Sequence, residues 1–268
     1  MKTTFLEKIV EYKQTEVEEA RARISEQHLL EAARAVKGRL SLVHALRPPE
    51  PPGVNIIAEI KRASPSKGLF QPDLNAGHLA AVYEAAGAAA ISVLTDQHFF
   101  KGSAEDLMAA KKATSLPILR KDFLVSSYQV MEAAAWGADA VLLIARILSA
   151  KQICDYLSLC AELGMEALVE IHSEADLKKV LPTKARLIGI NNRDLMTFET
   201  DIQRAMDLAR GLALDQIPVA ASGIAGPEDV RCNVAAGLRN FLVGESLVRS
   251  DNVRQHMEVL LAAGKIDA

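Results

Sequence analysis

Residues 140–171 read AVLLIARILSAKQICDYLSLCAELGMEALVEI. The opening run, 140–145, is apolar at every position, so both faces of a strand built from it must be covered. The stretch 151–164 carries apolar residues at helical spacing and stops at Gly164, where a helix commonly ends on a left-handed residue. Residues 166–171, EALVEI, form a second apolar run. Strand, helix, strand in this order is the unit of a parallel sheet covered by helices.

Working outward from 140–171, the unit repeats. NIIAEI (55–60), AAISVL (89–94), LPILR (116–120), LIGIN (187–191), PVAAS (218–222) and NFLVG (240–244) are further short aliphatic runs. Helix-like stretches such as AGHLAAVYEAAGA (76–88) and AEDLMAAKKATS (104–115) separate them, and Gly87, Gly137 and Gly237 repeat the stop signal. Eight such units predict an α/β fold of the closed (β/α)8, or TIM-barrel, kind rather than a doubly wound open sheet. A dinucleotide-binding sheet would also carry GxGxxG after its first strand, and KRASPSKG (61–68) does not. One domain is expected, with the barrel over 54–268 and residues 1–47 as an N-terminal helical extension. Thr4 and Glu7 fit a capping box, Phe5, Ile9 and Tyr12 fall on one helical stripe, and Leu29, Leu30 and Ala33 mark a second helix. RPPEPPG (47–53) then makes a stiff, non-helical connector.

The 268 residues are 50% hydrophobic and 24% charged, with a net charge of -3. The basic residues are scattered, which argues against a nucleic-acid footprint. Three cysteines without a CxxC pair read as reduced thiols. The N-terminus, MKTTFLEKIVEYK, has charges where a signal peptide needs an apolar core, and no uncharged apolar run reaches spanning length. A cytoplasmic protein without membrane or nucleic-acid partners is expected, monomeric or weakly homo-oligomeric. GxSxG, HExxH and Walker patterns do not occur.

Barrel chemistry belongs at the C-terminal ends of the strands, and the unusual polar residues collect there. Glu59 and Lys61 end the first strand, Lys121 and Asp122 the third, Glu170 the fifth, Asn191 and Arg193 the sixth, Ser222 and Gly223 the seventh. A carboxylate inside ALVEI is costly unless paired. Each of these could be a structural ion pair at the barrel mouth. Together, two lysines and two glutamates facing one cavity form a general acid/base set. ASGI after strand seven and VGES after strand eight place glycines where backbone N–H groups can meet an anion, so Gly223, Gly244 and Ser246 are candidate phosphate ligands. His172 reads as a helix-start residue just beyond Glu170, and Trp136 as packing.

The strings IIAEIKRASPSKG, ISVLTD with FFKGS, LRKDF, LVEIH, IGINNRDL, ASGI and FLVGES, in this order from residue 55 to 246, resemble those of indole-3-glycerol-phosphate synthases. The resemblance implies a ring-closing decarboxylation and dehydration of 1-(2-carboxyphenylamino)-1-deoxyribulose 5-phosphate in tryptophan synthesis, without metal or cofactor. It implies Lys121 as the acid on the ribulose carbonyl and Glu170 as the second acid/base. Glu59 would hold the lysines and substrate, Lys61 would contact the substrate, and Asn191 and Arg193 would orient it. Ser64 and Pro65 would lie on a mobile loop, Phe99 or Phe100 would line the anthranilate pocket, with Phe99 preferred, and Ser222 would contact substrate. Glu245 would join Gly223, Gly244 and Ser246 at the phosphate.

One position departs from the pattern: the family usually has ESGI at the seventh strand, and here AASGI puts Ala221 in place of the glutamate. The absence is expected either to leave the site more electropositive or to be tolerated because Glu59 and Glu170 suffice. Two rivals remain at this level. A phosphoribosylanthranilate-isomerase-like barrel would need a Cys and an Asp at strand ends, and no cysteine sits at one. A barrel that only binds phosphorylated ligands would use the same polar mouth for recognition.

Overall fold

The computed structural model describes residues 4–48, 53–65, 67–194 and 199–265. Eight strands close on themselves: β1 (Asn55–Ile60), β2 (Ala90–Leu94), β3 (Ile118–Lys121), β4 (Ala140–Ile144), β5 (Glu166–Ile171), β6 (Leu187–Asn191), β7 (Ile217–Ala221) and β8 (Asn240–Val243). All neighbours are parallel, and β1 closes the barrel by pairing with both β8 (Ile57 opposite Leu242) and β2 (Ile57 opposite Ala90). Alternation along each strand makes two cores. Ile57, Ala90, Leu119, Leu142, Leu168, Val219 and Leu242 fill the interior. Ile56, Ile91, Val141, Val169, Ile188 and Phe241 meet the surrounding helices. This double burial is why the strands read as unbroken apolar runs.

The helices start and stop on the residues their local chemistry favours. Asn75, Ser103, Ser149 and Ser173 each accept a backbone N–H at an N-cap, and Gly87, Gly137, Gly164 and Gly237 all take positive φ past a helix end. A short antiparallel ribbon, Ala63–Ser64 with Gly68–Leu69, follows β1. Among the described residues no helix is long and apolar enough to cross a membrane. The connector expected at 47–53 lies largely outside the described residues.

Among the described residues, three helices precede the barrel: α1 (Phe5–Arg23), α2 (Glu26–Ala35) and α3 (Leu42–Ala45). The capping box of Thr4 and Glu7 forms, with backbone–side-chain bonds of 2.7 and 3.2 Å. At the N-terminal end of the barrel, Leu42, Val43 and Leu46 join the interior core, and the Glu166 carboxylate accepts from Ser41 Oγ (2.8 Å) and Val43 N (2.7 Å). At the opposite end α1 adds Leu6 and Ile9 to the same core. The stripe on α1 differs from the expected one. Leu6, Ile9, Lys13 and Val17 are buried, while Tyr12 is 40% exposed and stacks on His98, ring centres 4.3 Å apart. The apolar periodicity misled because the buried face of α1 contains a lysine.

Candidate active site

The C-terminal ends of the strands enclose a cavity of about 1120 Å³, its open mouth included. Glu59, Lys61, Lys121, Glu170, Asn191 and Arg193 all line it, from β1, β3, β5 and β6 or the residues just after them. Ser64, Pro65, Ser222, Gly223, Gly244 and Glu245 complete the polar side, and Leu94, Leu142, Ile144 and Leu242 form an apolar floor. Phe5, Leu6 and Ile9 of α1 form a wall, which nothing in the strand pattern announces.

Two of the expected residues lie elsewhere. Phe100, not Phe99, lines the cavity. The two rings sit on a single helical turn, Gln97–Phe100, where successive side chains diverge by about 100°. Phe99 instead packs against Phe5 and Tyr12 of α1, at 5.8 and 5.6 Å between ring centres. Ser246 is absent from the lining, its hydroxyl donating to the Ile224 carbonyl (3.1 Å), so it braces the loops after β7 and β8.

Two ion pairs stand among the cavity charges. Lys61 Nζ donates to Glu59 Oε1 at 2.7 Å, and Arg193 Nη2 lies 3.2 Å from Glu245 Oε2. Burial raises the Glu59 pKa, but Lys61, Lys121 and Arg193 outweigh it and hold the carboxyl below its ordinary range. Glu59 is therefore an anion that orders cations and is poorly suited to giving up a proton. Gly244 makes room for it. A Cβ at Gly244 would stand 2.3 Å from Glu59 Oε1 and 3.0 Å from Glu59 Cβ. Among the described residues Lys121 has no ion pair or side-chain hydrogen bond, which leaves its ammonium available to a ligand.

Glu170 is 3% exposed, and its Oε1 faces His172 Nε2 at 3.5 Å. Desolvation lowers the His172 pKa more than Glu170 raises it, so the imidazole is neutral at pH 7. The backbone of His172 also donates to Asp176 (3.0 Å), in keeping with its expected place at a helix start. Ser222 and Gly223 both adopt positive φ, at 65° and 79°. For serine that conformation is uncommon, and it is held here by Asn192 Nδ2 donating to the Ser222 carbonyl at 3.1 Å. A side chain at Gly223 would collide with Thr200 Cγ2, so the sharp turn at the end of β7 needs glycine.

The third strand ends in a buried ionic network that the sequence reading missed. Lys13, fully buried, lies 2.8 Å from Asp96 Oδ2 and 2.9 Å from Asp122 Oδ1. Asp122 also takes Arg120 Nη2 (3.0 Å) and Thr95 Oγ1 (2.8 Å), and the Arg120 guanidinium stacks 4.2 Å over Trp136. Burial pushes the Asp122 pKa up, but Lys13 and Arg120 pull it down from 3.8 to about 2. A carboxyl whose folded pKa is depressed contributes stability above its unfolded pKa and loses it as pH falls through the folded one. Urea unfolding should therefore show this group's contribution, on the order of 2 kcal/mol, disappearing between about pH 4 and pH 2. In Asp122→Asn that part of the pH dependence should be missing. An unchanged acid profile would rule Asp122 out as its source.

The family model for indole-3-glycerol phosphate synthase matches residues 6–260. The chain belongs to that family. The synthase of Desulfosudis oleivorans is 52% identical over 262 residues, spanning 96% of this chain and 98% of the relative. That of Carboxydothermus hydrogenoformans is 46% identical over 263 residues, 96% of this chain and 100% of the relative. Among solved structures, thiamine phosphate pyrophosphorylase from Pyrococcus furiosus matches with a TM-score of 0.59 over 83% of this chain and 97% of its own. At 14% identity it speaks for the barrel alone.

Within this synthase-family barrel, Ala221 is 4% exposed and belongs to the interior core, opposite Asn191 on β6 and Leu242 on β8. The mouth is not short of negative charge. Glu245 joins Glu59, Asp122 and Glu170 as a fourth cavity carboxylate and also lies within 4.0 Å of Lys67 and 3.5 Å of Arg249. Three cations of the lining, Lys61, Lys121 and Arg193, thus share the cavity with four carboxylates, Glu59, Asp122, Glu170 and Glu245. We expect Ala221→Glu to change kcat by less than about threefold, under 1 kcal/mol of barrier. It should lower stability by about 1–3 kcal/mol, because the new carboxylate enters an apolar floor. Steady-state rates and thermal melts check both, and a tenfold gain in kcat would mean that Glu245 does not balance the site.

Proposed function

We propose that this barrel converts 1-(2-carboxyphenylamino)-1-deoxyribulose 5-phosphate to indole-3-glycerol phosphate, carbon dioxide and water, the reaction that gives the family its name. The observation that carries the assignment of roles is the pairing pattern in the cavity. Lys61 and Arg193 are engaged by Glu59 and Glu245, while Lys121 faces the same space without an ion pair among the described residues.

Lys121 is then the acid that protonates the ribulose carbonyl as the aromatic carbon attacks it. The tetrahedral ring carbon so formed loses the carboxylate as carbon dioxide and regains aromaticity. Departure of the remaining hydroxyl as water needs a proton delivered and another removed, and Glu170 serves that second stage from the end of β5. Glu59 fixes the Lys61 ammonium, which contacts the substrate's anionic groups. Asn191 supports the site from β6, its Oδ1 accepting from the Arg193 backbone at 3.0 Å. Arg193 reaches the substrate from the same segment, and Ser64 and Pro65 close the side nearest β1.

The phosphate is best met at the ends of β7 and β8, where Ser222, Gly223 and Gly244 expose backbone to the cavity. Glu245, the other phosphate candidate, is an anion paired with Arg193 and fits better as the partner that holds this cation near the phosphate. The apolar floor and Phe100 suit the aromatic ring of the substrate. The isomerase alternative, which needs a Cys and an Asp at strand ends, finds no cysteine at a strand end here. Cys154 and Cys232 are exposed on helices Ala150–Glu162 and Pro227–Ala235, and Cys160 is buried on the first of these. We further take the protein to work in the cytoplasm as a monomer or weak homo-oligomer, without metal, cofactor or nucleic acid, on a phosphorylated small molecule.

The test is direct. Purified protein incubated with the carboxyphenylamino-deoxyribulose phosphate should generate indole fluorescence and release carbon dioxide in equal amounts. No signal at high enzyme concentration would leave only the binding-barrel alternative.

A further inference from the structure

Lysine is rarely buried completely, and when it is, partners compensate its lost hydration. Lys13 meets three carboxylates: Glu16 on its own helix (3.0 Å), Asp96 just beyond β2 and Asp122 just beyond β3. Neither aspartate is an isolated anchor. The other oxygen of Asp96 accepts the N–H groups of Phe99 (2.6 Å) and Phe100 (3.1 Å), and so sets the single helical turn that brings Phe100 to the cavity. Asp122 follows Lys121 in the chain, and its carboxylate is also bound by the Phe123 N–H (2.8 Å), Thr95 and Arg120. One ammonium therefore joins the helix that walls the cavity to the segments carrying an aromatic ring and an acid of the site.

We infer that Lys13 is a positioning residue for the reaction: by bridging Asp96 and Asp122 it seats α1 over the mouth and fixes the direction in which Lys121 and Phe100 enter the cavity. The inference rests on the synthase reading given above. Without Lys13, Asp96 loses its cation while facing the Asp122 carboxylate in a buried space, and their repulsion spreads the ends of β2 and β3. Arg120 still holds Asp122, and it is itself engaged by Glu132 at 3.2 Å, so it does not replace the bridge to α1. A shift near 1 Å at a reacting group costs on the order of a hundredfold in rate.

Three variants separate positioning from support of the fold. Lys13→Met should lower kcat about 10- to 100-fold, more than it raises KM, because Lys121 acts in the chemical step. Lys13→Arg keeps a cation between the aspartates and should stay within about threefold of the parent. Lys13→Met leaves Asp96 without its cation beside the buried Asp122 carboxylate and can fail to fold. Lys13→Met/Asp96→Asn removes that repulsion while the asparagine oxygen still caps the Phe99 and Phe100 amides. This double variant should fold, as read from circular dichroism and from the emission of Trp136, yet keep at least a tenfold deficit in kcat. A folded double variant with the parent's kcat and KM would overturn the inference, leaving Lys13 only a neutralising charge. An inactive parent protein would instead defeat the synthase reading, and the inference with it.

Discussion

Lys121→Met should reduce turnover about a thousandfold or more and leave the fold in place. General acid catalysis by a positioned side chain contributes roughly 10²–10⁴-fold, and carbonyl protonation has no second candidate as well placed. Lys61 faces the same cavity, but its ammonium is bound to Glu59 at 2.7 Å. Losing Lys121 removes no ion pair among the described residues, and methionine retains most of the aliphatic stem, so the melting temperature should move by no more than a few degrees. Because the acid acts at ring closure, carbon dioxide release must fall together with indole formation. Single-turnover measurements of both products check this. Carbon dioxide released at the parent rate would show that Lys121 acts later and would pass the first step to Lys61.

The barrel was legible because burial on both faces leaves strands such as AVLLI and the aliphatic run ALV of EALVEI mostly apolar, and glycine marks the helix stops between them. The catalytic candidates stood out for the opposite reason. Glu59 and Glu170 are carboxylates inside such runs, at inward positions shared with Ile57 and Leu168. What escaped the reading depends on contacts distant in sequence. Lys13 stands among Tyr12, Gln14 and Thr15, as a solvated helix position would, and only the closed fold brings it between Asp96 and Asp122. The choice between Phe99 and Phe100 is one of rotation about a helical turn that Asp96 caps, which adjacent identical residues cannot encode. At Ala221 the sequence marked a missing carboxylate, and the structure places Glu245 against Arg193 in the same cavity, a pairing across two strand ends that no local pattern reveals.

Glu170→Gln should separate the two halves of the reaction. The amide matches the carboxyl in size but carries no exchangeable acid/base proton, so a loss of about 10²–10³-fold in indole formation is expected. Stability should hold or rise slightly. Glu170 is buried, among the described residues its carboxylate has no ion-pair contact besides the neutral His172 at 3.5 Å, and an amide is less costly to bury there than a charge. If Glu170 serves the dehydration, ring closure and decarboxylation do not need it. A single turnover of Glu170→Gln should then release carbon dioxide far faster than it forms indole, and the hydroxylated ring intermediate should accumulate. Lys121→Met, by contrast, should release neither product. Equal suppression of both products by Glu170→Gln would place this carboxylate at the first step beside Lys121, and the division of labour between β3 and β5 would have to be redrawn.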